Sequence, residues 1–237
     1  MKKSFLLSML VIAAASLYGQ TISYGIDAGL NLTKLSVTSY SPSGSGISIP
    51  VSESYLAGFH AGGLVDIRFD SFSIQLGILF STKGSNSSFS FSENFIGQTF
   101  TASSKIKTTL DYVEAPLNFI YRMDAGDGNI FIGAGPYLGI GISGKEVANS
   151  NTNGTPSTTS QNLNFGNAPN EIKNPDFGIN GLIGYQLHFG LSISAGYGLG
   201  LVSSSGTDGS GKNQGFSFSL AYFLNSGKQN FIRNPQF

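Results

Sequence analysis

His60 and His188 are the only histidines in the 237 residues and there is no cysteine, so any acid-base, nucleophilic or metal chemistry has a short list to draw on. A lipid hydrolase needs a serine and an acid arranged around a histidine. His60 stands in FHAGG and His188 in LHFG, neither with H-x-S spacing. Proteolysis by paired acids needs a histidine beside them, and Glu53, Glu93, Asp111, Glu146 and Glu171 are scattered through segments that have none. A metal site is not expected either, because His60 with one carboxylate is only a partial ligand set. Without cysteine, disulfides, thiolate catalysis and zinc-thiolate sites are excluded together. The expectation is a non-enzymatic protein with no catalytic residue, no metal and no cofactor.

What the remaining charged residues share is a parity. After residue 20 the chain alternates with period 2, the signature of strands with two unlike faces. TISYGIDAGLNLTK puts Ile22, Tyr24, Ile26, Ala28, Leu30 and Leu32 on one face and Ser23, Asp27 and Asn31 on the other. YLAGFHAGGLVDIRF separates Tyr55, Phe59, Val65 and Phe69 from His60, Asp66 and Arg68, and FSIQLGILFSTK separates Phe72 through Phe80 from Gln75 and Lys83. DYVEAPLNFIYRM follows, with Glu114 and Arg122 opposite Val113, Leu117 and Phe119. The pattern recurs in NIFIGAGPYLGIGISGK, DFGINGLIGYQL, GLSISAGYGLGL and GFSFSLAYFL, which completes eight strands. Pro116 removes a ladder donor inside one of them, so a local bulge or a missing bond is predicted there.

The links between strands alternate in length. Short ones lie at Asp70 and Ser71, at 124–129 and at 188–190; long polar ones lie at about 38–53, 84–104, 146–175 and 202–213. Short turns at one end and longer loops at the other are the habit of outer-membrane barrels, whose strands cross with about 9 to 11 residues. The fold class expected is therefore all-β: an eight-stranded antiparallel transmembrane up-and-down β-barrel over residues 20–225, with both termini on the periplasmic side.

Which face meets lipid follows from composition. Only 11% of residues are charged, with 32 Gly, 19 Phe and 10 Tyr, against about 25% charge in ordinary soluble domains. The non-apolar parity is mostly Gly, Ser and Asn, too small and too sparsely charged to coat a soluble barrel but suited to a narrow interior. A cation on the lipid face near midplane costs about 2 to 4 kcal/mol, and Arg68, Lys83 and Arg122 all avoid it. His60, Asp66, Arg68, Lys83, Glu114 and Arg122, with Asp27 beside them, then point into a lumen that eight strands leave just wide enough for side chains. Their expected role is a structural charge network, with Glu114 paired to Lys83 or Arg68; the alternative is a gated proton or ion path. Phe69, Phe72, Tyr121, Tyr185 and Tyr222 stand on apolar parities near the short turns and are expected to form an aromatic girdle.

The N-terminus MKKSFLLSMLVIAAASLYGQ reads as a cleaved export signal, with two lysines before an apolar run and a boundary after Gly19. Removing Lys2 and Lys3 from 13 basic and 13 acidic side chains leaves two more acids than bases. Nucleic acid is therefore not an expected partner, for want of a clustered basic face. Residues 226–237 form a tail beyond the last strand.

FSIQLGILFSTKG, DYVEAPLNFIYRM, NIFIGAGPYLGIGISGK and GFSFSLAYFL, in that order with glycine-rich strands between them, resemble the PorT-like outer-membrane β-barrel family of Bacteroidetes. The resemblance spans about residues 20 to 225, and its most specific pieces are the E-x-P-L segment at Glu114 and the AGPYLG segment at Ala134. It implies an eight-stranded barrel in the outer membrane of a Gram-negative bacterium. For most members it implies no known activity, and for the name-giving member an association with protein secretion. The tail departs from the family pattern, which leaves open whether Phe223 or Phe237 closes the signal read by the barrel-assembly machinery. The partners expected are outer-membrane lipid, that machinery during insertion, and envelope or secretion proteins. The function expected is structural or partner-binding; a small solute channel and a soluble secreted ligand-binding barrel are the alternatives.

Overall fold

The computed structural model describes residues 20–36, 39–40, 49–50, 52–95, 98–166, 168, 171–202 and 211–224. The export signal expected over 1–19 and the tail at 226–237 lie outside the described residues.

Eight antiparallel strands form the wall: β1 (Thr21–Leu35), β2 (Ser52–Phe69), β3 (Phe72–Phe95), β4 (Gln98–Ala125), β5 (Gly128–Thr152), β6 (Asp176–Leu187), β7 (Leu191–Gly200) and β8 (Asn213–Leu224). Each pairs with its neighbour in sequence, and β8 pairs back onto β1 with Leu224 opposite Tyr24. The ring is closed, so no strand in the wall keeps an unpaired edge. Both ends of the described chain lie beside the short turns, Thr21 opposite Arg68 and Leu224 opposite Tyr24.

The alternation read in the sequence is the alternation of the wall. Ile26 and Ile78 are 70% and 68% exposed on the outside, while Asp27 and Ser81 are 8% and 1% exposed within. The barrel is thus apolar outside and polar inside, the arrangement lipid demands and water forbids. Of the aromatics expected near the short turns, Phe69, Phe72, Tyr121 and Tyr222 face outward, and Phe72 packs on Tyr121 with ring centroids 4.8 Å apart. The Tyr185 hydroxyl donates to the Ala125 carbonyl at 2.8 Å.

Two of the long polar links are ordered sheet. β3 and β4 stay paired as far as Phe95 opposite Gln98, well past the belt of exposed apolar side chains. β5 runs on to Thr152, turns at Asn153 and Gly154, and returns as an outer strand, Thr155–Asn162, paired to β5 alone. The turn works because both residues take positive φ, 49° and 85°, the conformation that an Asn-Gly hairpin supplies at little cost. Periodicity missed the outer strand because Ser, Thr and Asn alternate with one another there, leaving no apolar face to see; on β3 the alternation does continue through Phe89 and Phe91, within a link otherwise rich in Ser and Asn.

Pro116 removes pairing without shifting register. Leu76 pairs with Leu117 and Leu79 with Glu114, with no pairs between them. The result is a missing-bond gap, and the bulge of this region lies elsewhere: Asp111 pairs with Ser143 and Tyr112 with Gly141, leaving Ile142 extra. Gly77 accommodates the proline, since a Cβ there would sit 3.0 Å from Pro116 Cγ and 2.9 Å from Leu64 Cδ2.

Candidate functional site: a charged lumen

The inward parity of the wall carries three groups of polar residues around an apolar layer. Nearest the short turns, β2 supplies Asp66 and Arg68, β3 Ser73, β4 Arg122 and β6 Gln186. Arg122 Nη2 lies 3.1 Å from Asp66 Oδ2, and Arg68 Nη2 reaches the same oxygen at 3.8 Å. Ser73 donates to Asp66 Oδ1 at 2.8 Å and accepts from Arg122 Nη1. One carboxylate therefore serves two guanidiniums, and the Gln186 amide oxygen bridges them, accepting from Arg68 at 3.1 Å and from Arg122 Nε at 3.3 Å. The planar fork of arginine suits such shared contacts better than an ammonium.

Toward the long-loop end, Lys83 on β3 is the central cation. Its Nζ lies 2.5 Å from Glu114 Oε1 and 3.6 Å from Asp176 Oδ2, and 4.3 Å from the centroid of the Tyr137 ring. Tyr137 and Asn213 both donate to Asp176 Oδ2, at 3.4 and 3.1 Å. Two carboxylates thus flank one ammonium beside the Tyr137 ring, and Asp176 Oδ1 is left buried without a hydrogen-bond partner. Phe165 closes this group from above, its ring edge on Tyr112 at 5.6 Å.

His60 forms the third group with β1. Its Nδ1 lies 2.8 Å from Asn31 Oδ1, and its Nε2 lies 2.8 Å from Ser219 Oγ and 3.4 Å from Asp27 Oδ2. Gly29 makes room for the ring, because any Cβ there would collide with the imidazole and with the Phe218 carbonyl. Both ring nitrogens are thereby engaged. Asp27 and Ser219 compete for one of them, so the three do not form the linear nucleophile–base–acid order of an acyl-transfer triad.

Between these groups Leu64, Ala221 and Phe223 pack as a buried cluster with Leu79 against it. A cavity of about 160 Å³ remains beside them, bordered by small residues of β7 and β8 such as Ser194 and Ser217 and reaching from Arg122 at one end to Lys83 and Glu114 at the other. Among the described residues, no three His, Asp or Glu side chains are grouped so as to hold a metal ion.

All six residues singled out by parity face this lumen, and so does Asp27. Lys83 meets Glu114; Asp66 meets Arg68 and Arg122; His60 stands apart with Asp27. Arg68, the other partner considered for Glu114, is engaged by Asp66 and Gln186 instead. Parity reasoning missed Asp176, Tyr137, Asn213 and Gln186. Asp176 and Asn213 open their strands, where alternation has barely begun, and Gln186 looks like any polar residue until the ring closes it against β2.

The family comparison agrees with this geometry. Residues 16–205 match the family described as outer membrane protein beta-barrel domain. The chain belongs to that family. As an outer-membrane β-barrel protein, it sets its apolar exterior in lipid. No curated protein matches this β-barrel protein in sequence. Solved structures similar to it include Neisserial surface protein A, at 12% identity over 86% of this chain and 98% of that chain with a TM-score of 0.38. Ail, the attachment invasion locus protein of Yersinia pestis, in complex with the heparin analogue sucrose octasulfate, matches at 14% identity over 86% and 99% with a TM-score of 0.34. The outer membrane protein OprG from Pseudomonas aeruginosa matches at 10% identity over 86% and 97% with a TM-score of 0.41.

Proposed function

We propose that this outer-membrane barrel is a closed, non-enzymatic scaffold whose lumen charges are structural and whose projecting hairpins engage another envelope protein. The observation that carries the reading is the filling of the lumen. An apolar layer of Leu64, Leu79, Ala221 and Phe223 lies between two sets of ion pairs, Lys83 with Glu114 and Arg122 with Asp66. An aqueous channel needs about 16 strands, and eight leave a narrow bore that these side chains constrict, with a cavity of about 160 Å³ beside them. The engagement of both His60 nitrogens supports a structural rather than a catalytic histidine.

The orientation proposed is both termini and the short turns in the periplasm, with the sheet of β3, β4 and β5 projecting outward from the cell. An even number of strands and the alternation of link lengths support it. A cleaved signal ending at Gly19, delivery to the barrel-assembly machinery and membership of the PorT-like branch of Bacteroidetes belong to the same reading. The E-x-P-L and AGPYLG segments support that branch and, through it, a link to protein secretion. A photo-crosslinking residue at Thr159, on the fully exposed outer strand, tests partner engagement in intact cells. A discrete crosslinked protein is the expected result, and the absence of any adduct contradicts the scaffold role.

A further inference from the structure

Outside the lumen, charge is sorted by end and by face. Among the described residues every lysine except Lys83 lies at the long-loop end: Lys34, Lys105, Lys107, Lys145, Lys173 and Lys212. The short turns carry Asp70, Asp124 and Asp127 instead.

The sorting by face begins where the apolar belt stops. On β4 the outward row runs from Val113 through Asp111 and Thr109 to Lys107 and Lys105, and on β5 it passes from Ile140 and Ile142 to Lys145. On β1 it passes from Leu32 to Lys34. Among the described residues the inward side of the same stretch carries no lysine beyond Lys83: Ser85, Ser104, Thr108 and Leu110 are buried there. The acids nearest these lysines are hydrogen-bonded, and Glu53 stands close enough to Lys34 to feel its charge. Glu53 accepts from Ser87 and Glu146 from Gln161, and Asp111 on the outward row accepts from Thr82. Among the described residues none of the outward lysines lies within salt-bridge distance of a carboxylate; Lys34 stands 5.0 Å from the Tyr55 ring centroid.

Height decides what these ammonium groups meet. A tilted strand gains about 2.5 Å of height per residue. Lys34, two residues beyond Leu32, and Lys145, three beyond Ile142, therefore stand about 5 to 8 Å above the apolar layer, which is the depth of one headgroup region. Lys107, six residues beyond Val113, stands about 15 Å above it and reaches the phosphate by turning its long side chain back toward the membrane. Lys107 pairs with Val147 and Thr109 with Lys145, so Lys107 and Lys145 are diagonal neighbours about 7 to 8 Å apart, a spacing that two flexible side chains close around one phosphate.

We propose that Lys107 and Lys145 together bind the phosphate of an anionic lipid headgroup in the leaflet at the long-loop end, with Lys34 a second contact on the other side of the ring. Naming that leaflet as the outer one rests on the orientation proposed above; the lipid chemistry does not. The test uses the full barrel in nanodiscs of equal parts phosphatidylglycerol and phosphatidylcholine, with retained lipids read by native mass spectrometry. Phosphatidylglycerol should be enriched on the wild type, the enrichment falling about fivefold for each of K34Q, K107Q and K145Q and disappearing in the triple variant. Unchanged heat-modifiable gel mobility verifies that the variants fold, and D124N should leave the enrichment intact. Equal retention of the two lipids by the wild type, or unaltered enrichment in the triple variant, overturns the proposal. A cysteine at Ser157, labelled from outside intact cells, reads the orientation separately. Failure to label overturns that orientation while leaving the lipid result to stand.

Discussion

Lys83 and Glu114 meet at 2.5 Å although they are not cross-strand partners: Glu114 pairs with Leu79, and Lys83 with Leu110. Strand tilt and two long side chains bring them together along the lumen rather than across the ladder. Asp176 lies on the same ammonium at 3.6 Å, so the two carboxylates are not equivalent in what their loss exposes. K83M strands both carboxylates in a buried site and should cost about 3 to 5 kcal/mol. E114Q leaves Asp176 opposite Lys83 and should cost clearly less, about 1 to 2 kcal/mol. Urea unfolding in lipid vesicles checks the order, and equal losses for the two variants contradict it.

Asp66 is the only carboxylate within salt-bridge distance of either lumen arginine among the described residues. D66N should therefore destabilise by about 3 to 5 kcal/mol, because two guanidiniums lose their counter-charge together. R68Q should cost much less, since its pair is long and Gln186 already shares the load. The same vesicle titration reads both.

Pro116 sits in a gap of the β3–β4 ladder whose register is intact on either side. P116A should leave the barrel folded with stability within about 1 kcal/mol of the wild type. G77V should cost about 1 to 3 kcal/mol, because its side chain must displace both Leu64 and Pro116. Equal tolerance of the two variants would mean that the gap is not set by the fit of glycine to proline.

The architecture was legible because lipid imposes a strict alternation. Ile22 through Leu32 and Val113 through Met123 reveal their faces to anyone counting by two, and the inward charges follow from parity alone. What parity cannot supply is distance around a closed ring. Glu114 had two candidate cations on its face, Lys83 and Arg68, and only tilt and closure decide between them. Gln186 and Asp176 join the charge groups from strands far away in sequence, with no local signal. The projecting sheet was illegible for a different reason: residues such as Thr155 to Asn162 are polar on both faces, so sheet and loop look alike, and the short alternation at Phe89 and Phe91 is surrounded by Ser and Asn.

The turn at Asn153 and Gly154 holds the outer strand against β5 through positive φ at both residues. G154V should loosen that hairpin and make residues 150–160 cleavable by limited proteolysis, without changing the heat-modifiable mobility of the barrel. A variant as resistant as the wild type would contradict an ordered Asn-Gly turn.

Single-channel conductance of the purified protein in planar bilayers tests the closed lumen most directly. The wild type should give no steady conductance, and a variant carrying L64G, L79G and F223G, which empties the apolar layer, should conduct. Steady ion flow through the wild type, at the same level as the emptied variant, would contradict a barrel filled by its own side chains.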